Sequence, residues 1–240
     1  RPDSSEATAV DLVRVWIFPY LCPPTKLPEL SARLTHEERQ RAAGIRHPQT
    51  AERFIVSRSW LREILAAHIG CAPHQVPITY DRGGKPVLPP SVGWHFNVSH
   101  SGEYVLIGLT RTGEIGVDIE QIRDGFQVEP IARRFFSEIE TQDLMQLRDR
   151  ERLIAFFRCW TRKEAFIKAI GSGLSYPLNE FDVTLLPRDP PAIRRVRGDA
   201  VQAGNWTLHD VPTPDGYVGA LAVHASGKSC HIVTNHEFRV

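Results

Sequence analysis

The stretch Gly116-Val117-Asp118-Ile119-Glu120 decides how this chain is read. Taken as a strand, it turns Asp118 and Glu120 to one face and Val117 and Ile119 to the other. The apolar pair can enter a core while two carboxylates stand side by side opposite. Like charges so placed repel, and a proton or a cation relieves them. Paired side-chain oxygens suit a hard divalent ion such as magnesium. The competing reading of an isolated D-x-E is an exposed strand face with solvated acids.

Downstream, the apolar residues Leu153, Phe156, Phe157 and Trp160 mark a helix from Arg152 to about Ile170, ended by Gly171 to Gly173. Glu164 and Lys168 are four apart on it and share a face. So many aromatic residues nearby make the helix largely buried, and a buried acid needs a partner or a metal. Before it lie a short helix over Glu129–Phe136 and a second helix opened by the Ser137/Glu140 capping-box pattern. After Pro177 come short strands near 181–186, 205–211, 217–224 and 230–234, with Pro187–Pro191 as a loop.

Upstream, Val10–Phe18 reads as a first strand, and Pro19, Pro23, Pro24 and Pro28 enforce a loop after it. Thr35 and Glu38 form a capping box that opens a short helix, and a longer helix runs from about Gln49 to His68 with Arg53 on its flank. Gly83-Gly84-Lys85-Pro86 is a turn whose glycines admit a ligand close to the backbone and whose lysine suits a phosphate. His95-Phe96-Asn97-Val98-Ser99-His100-Ser101 crowds hydroxyls, an amide and imidazoles together, either as a turn bonding its own backbone or as a phosphate contact. Tyr104–Thr110 follows as a hairpin partner. Thr112-Gly113-Glu114 reads as a hinge, which divides the chain into 1–113 and 114–240.

Composition narrows the class. Hydrophobic residues are 42% and charged residues 24% of 240, an ordinary globular balance. A net charge of +1 gives no bulk attraction to nucleic acid or anionic membrane, so an anionic ligand must be held by local cations. Cys22, Cys71, Cys159 and Cys230 include no C-x-x-C pair, which removes zinc-ribbon and redox-motif readings. Scattered thiols suit a reducing cytosol, although their spacing leaves disulfide pairing open. No apolar run reaches the roughly 18 residues of a membrane span. The polar first nine residues carry no apolar signal core, and the expected location is the cytoplasm.

Three stretches occur in order: Asn97-Val98-Ser99-His100-Ser101, Gly116-Val117-Asp118-Ile119-Glu120 and Trp160-Thr161-Arg162-Lys163-Glu164-Ala165-Phe166-Ile167-Lys168. With the Gly84-Lys85-Pro86 turn, they resemble the signature of the Sfp-type 4'-phosphopantetheinyl transferases over about Thr35 to Pro177. The resemblance implies an α+β fold of two pseudo-twofold-related halves, each a small, mainly antiparallel sheet packed with helices, with the active site between them. It implies transfer of the 4'-phosphopantetheine arm of coenzyme A to a serine of an acyl- or peptidyl-carrier protein, releasing adenosine 3',5'-bisphosphate, by a monomer.

Carried over by position, Asp118, Glu120 and Glu164 would be the metal carboxylates for magnesium, with manganese as a substitute. Lys168 would contact the reacting phosphates, with Lys163 nearby. Ser99 and His100 would hold the 3'-phosphate side of coenzyme A, and Gly84, Lys85 and Pro86 would line its adenine and phosphate region. Arg53 matches a basic position of the family, as does Arg41, whereas Glu38 stands where another cation occurs. Glu164 is the expected base for the acceptor serine, directly or through a water. A non-catalytic coenzyme A- or carrier-binding module is the alternative. Such a module is expected to lack one of Asp118, Glu120, Glu164 and Lys168, and all four are present. A magnesium-dependent phosphohydrolase would need further acidic motifs, which the chain does not show.

Overall fold

The computed structural model describes residues 11–171, 176–196, 203–224 and 230–235. In chain order the elements are β1 (Asp11–Pro19), α1 (Leu27–Ala32), α2 (His36–Ala43), α3 (Pro48–Ile69), β2 (Thr79–Tyr80), β3 (Pro86–Val87), β4 (His95–Ser101), β5 (Tyr104–Thr110), β6 (Ile115–Gln121), α4 (Val128–Phe135), α5 (Glu138–Gln146), α6 (Asp149–Ala169), β7 (Phe181–Val183), β8 (Ile193–Val196), β9 (Trp206–Val211), β10 (Tyr217–His224) and β11 (Cys230–Asn235). The expected α+β class holds: small sheets, mostly antiparallel, are packed with helices. Val10 and Gly173, expected at the edges of a strand and a helix, lie outside the described residues. No helix among the described residues is long and apolar enough to cross a membrane.

The described residues cluster into two compact units, one of Phe18–Gly93 with Glu103–Val105 and the other of the remaining described residues. In the first unit, α3 packs against α1 and α2, and Phe18 stacks on Trp60 with ring centroids 4.7 Å apart. The α2 start is set locally. Thr35 Oγ1 accepts from the Glu38 backbone N–H at 3.2 Å, and Glu38 Oε2 accepts from the Thr35 N–H at 3.0 Å. The proline-rich stretch holds more order than expected, because α1 begins inside it. Pro28 sits in the first turn of α1, where its missing N–H breaks no helical bond.

In the second unit, strands run in the order β11-β1-β5-β4 in one sheet and β6-β10-β9 in another. β1 and β11 pair in parallel, while β10 pairs antiparallel with β6, setting Asp118 opposite Ala220 and Glu120 opposite Val218. α6 lies across β6 and β10. Its Phe156, Phe157, Phe166 and Ile167 enter a core with Val183, Ala220 and Ala222. Phe136 stacks on Phe156 at 5.2 Å. The strand expected over 181–186 is shorter and belongs to a hairpin with β8, interrupted by a register shift at Asp182/Val183. Thr184 then turns its hydroxyl to the Pro190 carbonyl at 2.8 Å and takes the Ala192 N–H at 2.9 Å, which ends regular pairing.

Gly116 is where helix and strand meet most closely. A Cβ there would stand 2.0 Å from the Ala165 carbonyl oxygen and 2.4 Å from the Ala169 nitrogen, both backbone atoms of α6. Backbone cannot rotate aside as a side chain can, so Gly116→Ala is expected to destabilise the fold by about 1–3 kcal/mol. A lowered urea midpoint measures it, and an unchanged midpoint would mean that α6 does not rest on this glycine.

Candidate active site

The alternation of β6 does what its pattern implies. Val117 and Ile119 are fully buried in apolar surroundings, and the carboxylates face the other way. Asp118 is nonetheless only 4% exposed. Its Oδ1 accepts from Lys168 Nζ at 2.6 Å and from the Ser99 hydroxyl at 2.8 Å, while its Oδ2 is buried with no hydrogen-bond partner. Burial lifts the Asp118 carboxyl above its ordinary range, against the pull of Lys168 and Ser99. Glu120 is half-buried and accepts from the Ser101 hydroxyl at 2.8 Å. Burial raises its carboxyl too, with Asp118 adding its charge and the Ser101 hydrogen bond opposing. Lys168 also donates to Ser99 Oγ at 3.0 Å.

Glu164 stands one helical turn before Lys168. Its carboxyl is pushed up to about 7, first by burial, then by the nearby charge of Asp118, with Glu120 adding and Lys168 opposing. Glu164 thus belongs electrostatically to the same cluster as Asp118, Glu120 and Lys168. It also lines a pocket of about 520 Å³ whose walls include Phe135, Trp160, Ile167, Tyr176 and Arg134. The three acids do not close on a common point: among the described residues, no three His, Cys, Asp or Glu side chains are grouped to hold a metal ion. Each strand acid takes a proton donor instead, Asp118 from Lys168 and Ser99, Glu120 from Ser101.

Two expected contacts take different roles. Lys163 is wholly buried on another side of α6. Its ammonium pairs with Glu140 at 2.8 Å and donates to the carbonyls of Leu178 at 2.7 Å and Phe181 at 2.6 Å. A lysine with its three protons so engaged has none for a phosphate, so the expectation of a coenzyme A contact at Lys163 is corrected to an internal tie. Ser99 was expected at the 3'-phosphate, yet its hydroxyl is committed to Asp118. His100, the next residue, is exposed.

The remaining expected contacts lie in the first unit. Arg53 pairs with Glu103 and stacks 5.2 Å over the Tyr20 ring, whose phenol burial raises to about 12. Gly84, Lys85 and Pro86 close the β2–β3 hairpin. Gly84 has φ +79°, which favours glycine, and Asp81 Oδ1 accepts from the Gly83 and Lys85 N–H groups at 2.8 Å each. Glu38, which stands where the resemblance leads one to look for a cation, turns inward to Arg62 at 2.6 Å and Arg58 at 3.3 Å. Arg41 stacks on Phe54 at 5.3 Å.

Comparison with known proteins adds to this geometry. Residues 24–111 match the family described as 4'-phosphopantetheinyl transferase, N-terminal, and residues 114–222 match the 4'-phosphopantetheinyl transferase superfamily. The 4'-phosphopantetheinyl transferase HetI of Nostoc sp. is 35% identical over 220 residues, which is 90% of this chain and 90% of that protein. The chain belongs to the 4'-phosphopantetheinyl transferase superfamily. Sfp of Bacillus subtilis, another 4'-phosphopantetheinyl transferase, is 33% identical over 152 residues, 63% of this chain and 66% of Sfp. The crystal structure of Thermotoga maritima holo-acyl-carrier-protein synthase aligns to 47% of this chain and 63% of its own, at 27% identity and a TM-score of 0.36. In this transferase, the paired acids of β6 and the Glu164/Lys168 pair of α6 lie inside the matched 114–222 region.

Proposed function

We propose that this transferase moves the 4'-phosphopantetheine arm of coenzyme A to a carrier-protein serine at the cluster of Asp118, Glu120, Glu164 and Lys168. The observation that carries the reading is the cluster itself: Lys168 Nζ donates to Asp118 Oδ1 at 2.6 Å, and the charges of Asp118 and Glu120 both act on Glu164. A carboxylate within this cluster can take the proton of the acceptor serine, directly or through a water. The serine oxygen bonds to the phosphorus that bears the arm, and its proton passes to Glu164. The anhydride bond breaks, and its electron pair leaves with adenosine 3',5'-bisphosphate. Lys168 offsets charge on the phosphates.

The site chemistry suits magnesium, with manganese as a substitute. Asp118 Oδ2 is a buried carboxylate oxygen with no hydrogen-bond partner, and Asp118, Glu120 and Glu164 supply the hard oxygen donors such an ion takes. When bound, the ion supplies charge neutralisation at the phosphoanhydride oxygens. Arg53, Gly84, Lys85, Pro86 and His100 are proposed to hold coenzyme A, with Ser99 contributing through its place in the same strand rather than through its hydroxyl.

Support for a division at 113/114 comes from the two family matches, which meet between residues 111 and 114. Both matches lie in one chain, which favours a working monomer. Free thiols at Cys22, Cys71 and Cys159 suit a reducing cytoplasm.

The test is a mass measurement. Purified protein with coenzyme A, magnesium and a panel of apo-carrier proteins should add one phosphopantetheine to a carrier. Chelation should stop the reaction, and manganese should restore it. Glu164→Gln should lower kcat by about 100-fold with the KM for coenzyme A little changed. Carriers left unmodified across the panel would overturn the reading, and full activity of Glu164→Gln would overturn the base.

A further inference from the structure

β4 and β6 are edge strands of different sheets, and side chains join them. Asn97 Oδ1 accepts from the Val117 N–H at 3.0 Å, Ser99 Oγ from the Ile119 N–H at 3.4 Å, and Ser101 Oγ from the Gln121 N–H at 3.1 Å. The period of two on β4 meets the period of two on β6, so the alternate amides of Val117, Ile119 and Gln121 are each satisfied by a side chain. Between those amides stand Asp118 and Glu120, and the same two hydroxyls reach them. Ser99 donates to Asp118 and Ser101 donates to Glu120, each at 2.8 Å.

A serine hydroxyl has one proton to give and two lone pairs to receive with. At Ser101 the Gln121 amide, fixed by the strand, occupies a lone pair, and the proton is then directed to Glu120 Oε2. We infer that Ser101 is a positioning residue, which aims the Glu120 carboxylate for cation binding by relaying the orientation of the β6 backbone through its hydroxyl. This rests on the reading of Asp118 and Glu120 as cation ligands. A freely rotating glutamate would sample several rotamers, and holding it in one lowers the ordering cost of binding. Loss of a partner that orients a ligating carboxylate typically costs 10- to 100-fold in metal affinity.

Uptake of Mn2+ by the protein alone, without coenzyme A or carrier, separates this role from a fold role. Free Mn2+ is followed by electron paramagnetic resonance for wild type, Ser101→Ala, Ser101→Thr and Asp118→Asn, with a thermal melt of each. Ser101→Ala should bind roughly tenfold more weakly or worse, with a melting temperature close to wild type because the Gln121 amide it uncovers is at the surface. Ser101→Thr keeps the hydroxyl on a side chain that strands favour and should recover binding. Asp118→Asn should lose binding. Equal affinity of wild type and Ser101→Ala would overturn the positioning role alone. No Mn2+ uptake by wild type would overturn the cation reading and this inference with it.

Discussion

Asp118→Asn is expected to reduce transfer by about 1,000-fold while the protein stays folded. Asparagine has the shape of aspartate and keeps an oxygen to accept from Ser99 and Lys168, so packing is preserved. What disappears is the negative charge, and removal of one electrostatic element from a catalytic site costs on the order of 100- to 1,000-fold in rate. The stability change is the sum of opposed effects. A buried charge raised above its ordinary pKa is relieved, while the ion pair with Lys168 is lost. Lys168 keeps 30% of its side chain exposed and can turn to water, so the loss is discounted. A melting temperature within about 4 °C of wild type is the expected outcome. Near-normal transfer would remove Asp118 from the machinery, and an unfolded variant would make it a structural acid.

Lys163→Met is expected to show the opposite pattern, a large loss of stability with coenzyme A binding intact. Lys163 and Glu140 are 0% and 1% exposed in their side chains. Breaking such a pair from one side leaves a charge without compensation and costs about 3–5 kcal/mol. For a chain of this size that is a fall of roughly 10 °C or more in melting temperature. Glu140 has other duties: it accepts from the Ser137 N–H at 2.9 Å in the capping box and from the Val183 N–H at 2.7 Å. Lys163→Met/Glu140→Gln should therefore recover only part of the loss, because the amide drops the charge but keeps a single acceptor oxygen where two backbone N–H groups donate. The KM for coenzyme A of the folded protein should match wild type. A raised KM with an unchanged melting temperature would restore Lys163 to the ligand.

The contrast between these residues shows what sequence patterns carry. Glu164 and Lys168 share a face of α6 by their spacing of four. Lys163 and Lys168 are five apart, about 140° around a helix, so the pattern itself places them on different sides. The family motif drew Lys163 toward the ligand, and the helical angle was the signal against it. Both capping boxes were legible because their hydrogen bonds close within three residues, as at Thr35/Glu38 and Ser137/Glu140. The further partners of those same acids, Arg62 for Glu38 and Lys163 for Glu140, come from 23 or more positions away and leave no local trace. The polar run from Asn97 to Ser101 had the same difficulty. Its alternation is visible, but the amides that it satisfies belong to a strand about 20 residues downstream. α1 was hidden because prolines were read only as helix breakers, although in a first turn they are helix starters.

The bare α-carbon at residue 116 has an effect beyond stability. Its missing methyl lets a helix main chain settle directly onto a strand main chain, and that clearance fixes how far the two sources of functional groups stand from each other. Spacing at this centre is therefore gauged by empty volume, not by any bond that could stretch. A redesign that sought to move the carboxylates of α6 relative to those of β6 would do better to alter this single clearance than to exchange the carboxylates themselves.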